Sequence, residues 1–350
     1  MTAIAKGSKV LVTGANGYIP MWVVRILLER GYTVRATVRT AGNIGYIKEY
    51  FAKLGYGDNK LEFVVVEDII KEDAFDEAVK GMDGIIHMAS PFHHHAKNPQ
   101  EVISPAVQGT IGVLKSAYKN GTNVKRIVVT SSTASIHGTL EPHKFTELDW
   151  NTHSPSIIEE QGEKSNPIYI YLASKTLAER AAWEFVGKVK AEVNWDLAVI
   201  NPTYVFGPPI HDLKSVTSLN TSLAMWYGSI FPEVPKTKEE LTQSLTWVDV
   251  RDVALTHVFA LEIPEAGGER FIASAESFIW QDWLDALNTL QTNPLPSHAI
   301  AKGFPELSAG EKTYDVVYET TKAHDVLGVK WTSMADSGRD TLAEFAKRGW

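Results

Sequence analysis

The 350-residue chain has no cysteine, so disulfides, thiolate metal sites and cysteine nucleophiles are excluded, and the absence suits a reducing compartment. It has no apolar run approaching the roughly 18 residues that would span a bilayer. Surplus positive charge is missing too: 34 Lys and Arg face 42 Asp and Glu, leaving a formal charge of −8. Nucleic acids and anionic membranes attract clustered cations that displace counterions, so neither is an expected partner. The opening stretch MTAIAKGSKVLV does not read as a secretory signal, because its apolar run is a short strand leading straight into a glycine turn. These absences predict a cytoplasmic protein acting on a small molecule, with monomer or homodimer left open.

What is present has a clear rhythm. With 44% hydrophobic residues the chain can bury a sizeable core. Short β-branched runs at 9–13, 33–38, 61–66, 84–89, 126–131 and 196–201 alternate with amphipathic helical stretches such as MWVVRILLER and SKTLAERAAWEFVGKV. Continuous apolar strands separated by helices predict an α/β fold of the Rossmann type, a doubly wound parallel sheet covered on both faces. After Asn201 the rhythm weakens in NPTYVFGPPIHDLKSV, and a smaller C-terminal substrate-binding lobe is expected to begin there. The stretch 245–261 then restores a strand and a helix. The expected division is therefore 1–203 plus 243–262 for the nucleotide-binding domain, and 204–242 plus 263–350 for the lobe.

The stretch TGANGYIPMW, 13–22, places Gly14 and Gly17 between a strand and a helix. In that context glycine lets the backbone approach a pyrophosphate, and the free N–H groups opening the helix, those of Tyr18 and Ile19, meet its oxygens. Pro20 stands where a third small residue is usual. Its ring removes an N–H that the first turn leaves unpaired anyway, but it should push Ile19 out of helical geometry and delay the helix start. A second absence is informative here. Some 20 residues downstream, where an Asp or Glu would read the ribose of NAD, the chain has VRATVRT. Arg39 suits a 2′-phosphate, which a carboxylate would repel, so NADPH/NADP+ is the predicted cofactor. Arg35 shares its face of the strand but reads as a surface charge.

VVTSSTAS closes the fifth strand and YIYLASKTLAE opens a helix, putting Tyr171 and Lys175 four residues apart on one face. With VTGANGYI, VVEDI, HMASPF, NPTYVFGP and WVDVRDVA, these motifs make the chain resemble an extended short-chain dehydrogenase/reductase over nearly its whole length. The nearest branch in appearance is the fungal methylglyoxal and carbonyl reductases, similar to plant dihydroflavonol reductases. The resemblance implies a catalytic triad of Ser132, Tyr171 and Lys175. Carbonyl reduction by hydride builds charge on oxygen, so it needs a placed donor and a proton. Lys175, with the positive charge of the oxidised nicotinamide, is expected to lower the tyrosine pKa. Ser132 takes precedence over Ser131 by family register, adjacent strand residues pointing to opposite faces. Tyr169 lacks the four-residue spacing to the lysine.

By the same resemblance Asp68 and Ile69 flank the adenine, Ala89 and Ser90 pass the ribose and nicotinamide, and Pro202 and Thr203 offer backbone to the carboxamide. Phe92, Thr133, Ile168 and Tyr204 are then candidates for an apolar substrate wall suited to small and medium ketones and aldehydes. The three histidines His93–His95 follow one another in a loop, where side chains diverge, so no metal is expected. Two departures stand out. Asn43, Gly45 and Tyr46 occupy the place of a second basic residue, leaving Lys48 as the next cation. Gln108 replaces a helix asparagine, which puts a proton relay through that position in doubt. The expected activity is NADPH-dependent reduction of a carbonyl to a chiral alcohol. Its rivals are an NAD-retaining nucleotide-sugar epimerase or dehydratase, and a non-catalytic NADP(H) sensor.

Overall fold

A computed structural model describes residues 4–90, 98–138, 143–310 and 312–350. The apolar runs become strands β1 (Lys9–Val12), β2 (Thr33–Val38), β3 (Leu61–Val65), β4 (Gly84–His87), β5 (Arg126–Thr130) and, after the short β6 (His143–Phe145), β7 (Asp196–Pro202). Next come β8 (Tyr204–Phe206), β9 (Ser244–Asp249), β10 (Arg270–Ala273), β11 (Glu276–Ile279) and β12 (Val316–Tyr318). Seven strands form the central sheet in the order β10-β7-β5-β4-β1-β2-β3, every neighbouring pair parallel. Parallel strands buried on both faces need continuous apolar side chains, and all seven residues of β7 are buried. Val10, Val12, Val34 and Ala36 pack on one face with the helices Tyr18–Glu29 and Val250–Glu262. Leu11, Ile85, Ile127 and Leu197 pack on the other with Val113, Leu114 and Ala182 of the helices Gln100–Asn120 and Pro167–Val189.

Two elements fall differently from the expected division. The strand anticipated at 245–249 does not rejoin the central sheet; β9 pairs with β8 and, antiparallel, with β11 in a separate three-stranded sheet. The edge of the central sheet is supplied instead by β10, from within the stretch assigned to the lobe. Its four residues, RFIA, are too short and open on too polar a side chain to announce a buried strand. The helix Val250–Glu262 does return to the nucleotide side, packing on Tyr18–Glu29. The smaller region has its own core of aromatics packed mostly edge to face, Phe206, Trp226, Trp247, Trp280, Trp283 and Phe345.

The helix after β1 starts at Tyr18, not later, so Ile19 is helical in spite of the following proline. Pro20 is the third helical residue, still within the turn whose N–H groups have no intrahelical acceptor. Its ring is buried, and the Tyr18 hydroxyl and Trp22 Nε1 anchor this first turn to the carbonyls of Gly207 (2.7 Å) and Pro208 (2.9 Å). These anchors outweigh the local preference of a residue before proline.

Candidate active site

The strand order reverses between β1 and β4, and the carboxyl ends of those strands open the crevice in which such sheets hold ligands. Gly14 follows β1 with φ at +67°, and a Cβ there would lie 3.1 Å from Ala89 Cα. Both facts demand glycine. Gly17 is the helix N-cap, where a Cβ would come within 3.3 Å of the Gly14 carbonyl oxygen. Gly14 N–H donates to Thr37 Oγ1 (3.2 Å) and Ala15 N–H to the Thr37 carbonyl (2.9 Å), which fix the turn against β2. A cradle of bare backbone leading into a helix N-terminus fits a dinucleotide pyrophosphate, with Tyr18 and Ile19 presenting N–H groups.

Arg39 lies exposed just past β2, its Nε donating to the Glu67 carbonyl at 3.5 Å. The neighbouring cations are engaged elsewhere. Arg35 pairs with Glu62 (2.6 Å) and donates to the carbonyls of Ala78 and Lys80, while Lys48 pairs with Asp58 (2.8 Å). Asp68 is exposed and its Oδ1 accepts from Ile70 N–H (3.1 Å), an Asx turn beside the half-buried Ile69. Ala89 is half-buried and Ser90 exposed, both following β4.

Ser132 caps the short turn Thr133–Ser135 that leaves β5, its Oγ accepting from Ala134 N–H (3.1 Å) and standing 3.5 Å from the Pro202 carbonyl. The same carbonyl accepts from Thr133 Oγ1 (3.3 Å), and Thr203 N–H is tied to Ala273 (3.1 Å). Opposite, the helix Pro167–Val189 opens with Asn166 accepting from Ile168 N–H (3.1 Å) and proline at its first position. One turn in, Tyr171 faces Ser132, close enough for the serine hydroxyl to favour its ionised form. Four residues on, Lys175 Nζ lies 3.5 Å from Ser90 Oγ and 5.9 Å from the centre of the Tyr171 ring. Burial pushes the Tyr171 hydroxyl above its ordinary pKa, against the opposing influence of the Ser132 hydroxyl, and lowers Lys175 to about 8. The expected lowering of the tyrosine pKa is therefore not seen in the protein alone, where desolvation prevails. Tyr171 keeps its proton at neutral pH.

The alternatives face away. Tyr169 packs edge-on against His153 (5.9 Å), and Gln108 is exposed. Ser131 donates to Glu179 (2.6 Å), a buried carboxylate that also accepts from Ser135 (2.5 Å), Asn201 (2.8 Å) and Arg270 (2.6 Å). Sequence reasoning missed this network, because its members come from four separate segments, 131–135, 179, 201 and 270, whose spacings in the chain do not mark them as partners. It also missed Tyr318 of β12, a buried phenol that lies beside Thr133 and Tyr204. Of the proposed wall, Thr133 is buried, Tyr204 half-buried and Ile168 half exposed, at 50%. Phe92 and His93–His95 lie outside the described residues. Among the described residues no group of His, Cys, Asp and Glu could hold a metal ion, and no helix is long and apolar enough to cross a membrane.

Residues 10–273 match the model of the NAD dependent epimerase/dehydratase family. The chain is 34% identical over 350 residues to an NADPH-dependent methylglyoxal reductase of Saccharomyces cerevisiae, covering 97% of this chain and 98% of that one. It is likewise 34% identical over 353 residues to a cinnamoyl-CoA reductase of Medicago truncatula, covering 99% and 98%. The crystal structure of yeast methylglyoxal/isovaleraldehyde reductase complexed with NADPH superposes with a TM-score of 0.83 at 32% identity, covering 97% of this chain and 98% of that one.

Proposed function

The chain belongs to the NAD dependent epimerase/dehydratase family, and from that premise we propose that it is an NADPH-dependent carbonyl reductase, converting a small ketone or aldehyde to an alcohol. The observation that carries this reading is Tyr171 facing Ser132, with Lys175 one helical turn away, beside the glycine crevice. Full-length relatives with the same activity in their names support it over an epimerase that retains NAD.

NADPH, when bound, supplies the hydride. Tyr171 donates the proton to the carbonyl oxygen, and its raised pKa keeps that proton available at neutral pH. Ser132 gives the oxygen its second hydrogen bond, and the Lys175 ammonium stabilises the tyrosinate left behind. Gly14, Gly17, Tyr18 and Ile19 hold the pyrophosphate, Arg39 the 2′-phosphate, and Asp68 and Ile69 the adenine. Ala89, Ser90, Pro202 and Thr203 line the nicotinamide end. Thr133, Tyr204 and Ile168 form the substrate wall, to which we add Tyr318 because it lies beside Thr133 and Tyr204. A general acid of this kind contributes about 10²- to 10⁴-fold. The test is NADPH consumption by Tyr171→Phe with a panel of aldehydes, diketones and aryl ketones. Turnover near that of the parent on every carbonyl it reduces would reject the assignment.

A further inference from the structure

His87 ends β4 just before Ala89 and Ser90, is 2% exposed, and has no role in the reaction described so far. The tautomer of its ring follows from its neighbours. Thr13 Oγ1 accepts from the N–H groups of Met88 (2.9 Å) and Ala89 (3.0 Å), which fill both hydroxyl lone pairs. Its own proton therefore goes to His87 Nδ1, 3.0 Å away. A neutral ring that accepts at Nδ1 carries its proton at Nε2. Burial and the nearby Lys175 lower the histidine to about 3, which keeps it neutral. That Nε2–H is buried without a partner among the described residues.

The ring lines a cavity of about 20 Å³ that Lys175, Thr110, Thr130, Ser131 and Glu179 also line. A single water needs roughly 10–15 Å³ and two to four polar partners. The three hydroxyls have committed their protons elsewhere. Thr110 donates to the Ala106 carbonyl (2.9 Å), and Ser131 to Glu179 (2.6 Å). Thr130 donates to His257 Nε2 (2.7 Å), since His257 Nδ1 must carry its proton to meet the Val253 carbonyl (2.7 Å). The wall thus offers two kinds of donor, His87 Nε2–H and the Lys175 ammonium, and oxygens that can only accept.

We propose that one ordered water fills this cavity, accepting from His87 Nε2–H and Lys175 Nζ and donating to the hydroxyl oxygens. His87 is thereby a positioning residue for Lys175, holding its ammonium charged behind Tyr171. The inference rests on the reading of Lys175 given above. Facing Lys175 are Tyr171 and Glu179 from its own helix, His87 from β4 and Ser90 beyond it.

The direct test is a high-resolution crystal structure of the unmodified protein, with ¹⁵N NMR of the histidine rings. Water density within hydrogen-bond distance of both nitrogens, and a proton on His87 Nε2, are expected. A dry cavity or the opposite tautomer overturns the proposal. His87→Phe keeps the edge-on contact with Phe75 (5.7 Å) but removes both nitrogens. It should lower kcat roughly tenfold or more, as for the loss of a hydrogen bond serving a charge. The alkaline limb of kcat/KM should move to lower pH, with KM for NADPH within about twofold. A folded variant with an unmoved pH profile overturns the positioning role. If that variant fails to fold, Thr110→Val removes one acceptor and should shift the limb the same way by less, an unshifted limb again counting against the proposal. Failure of the reductase reading is separable: Tyr171→Phe would then stay active while the water and tautomer remain.

Discussion

Glu179 accepts hydrogen bonds from Ser131, Ser135, Asn201 and Arg270, and with Arg270 it forms an ion pair whose side chains are 0% and 8% exposed. Replacing it by glutamine preserves shape but removes the charge. Whichever way the amide is turned, one acceptor becomes a donor, facing either the guanidinium or the Asn201 amide. Breaking a buried pair by removing one charge costs about 3–5 kcal/mol. Arg270 keeps the Glu147 (2.8 Å) and Asp149 (2.7 Å) carbonyls, so the lower end, about 3 kcal/mol, is expected here. In a chain of this size that is a fall of about 4 °C in Tm. Urea unfolding followed by circular dichroism measures it, and a cycle with Arg270→Gln isolates the pair. Because Ser131 and Ser135 bracket Ser132, kcat should fall as well, with KM for NADPH little changed. A cost below about 1 kcal/mol, or zero coupling in the cycle, would refute this reasoning.

Arg39→Ala should weaken NADPH binding by about 10- to 100-fold, the worth of a charge-assisted pair, and leave NADH binding unchanged; fluorescence titration with both cofactors checks it. Pro20→Gly should change NADPH affinity by less than about tenfold, or roughly 1.4 kcal/mol, since the ring occupies a position without an intrahelical bond; a larger change on titration would mean that it shapes the phosphate turn. The folded protein depresses His87 to about 3 and both His211 and His257 to about 4, so the unfolded chain binds more protons below the ordinary histidine pKa of 6.5. Stability is then full above about pH 6.5 and falls towards pH 4, by roughly 1 kcal/mol per pH unit for each histidine. Asp252, raised to about 6, works in the opposite sense and offsets part of the loss. Urea midpoints between pH 7 and pH 4 test the sign.

The strands of the nucleotide side were legible because each is a β-branched run bounded by turn residues, and the six anticipated ones all appear in the central sheet. The seventh was not, since Arg270–Ala273 declares neither length nor alternation, and its buried arginine makes sense only beside Glu179, 91 residues away. Tyr171 and Lys175 could be found from one helical spacing, and the structure puts them on the helix facing Ser132. Tyr318 and His87 could not be assigned from sequence, because what brings them to the site is the pairing of β12 with β6 and a single hydroxyl, that of Thr13 just after β1. The delayed helix start expected at Pro20 failed for a related reason: the anchors at Gly207 and Pro208 are contacts across 186 residues or more.

The last strand of the central sheet is laid down only after the chain has left for the second region and come back. Anyone exchanging the 203–269 excursion for that of another reductase, to change which carbonyls are accepted, inherits this wiring. Arg270 begins immediately after the seam, and its partner Glu179 stands on the retained side, one helical turn beyond Lys175. A chimera joined one residue too late would import a foreign residue opposite a buried carboxylate, and would misplace the proton-transfer groups while every visible pocket residue had been kept.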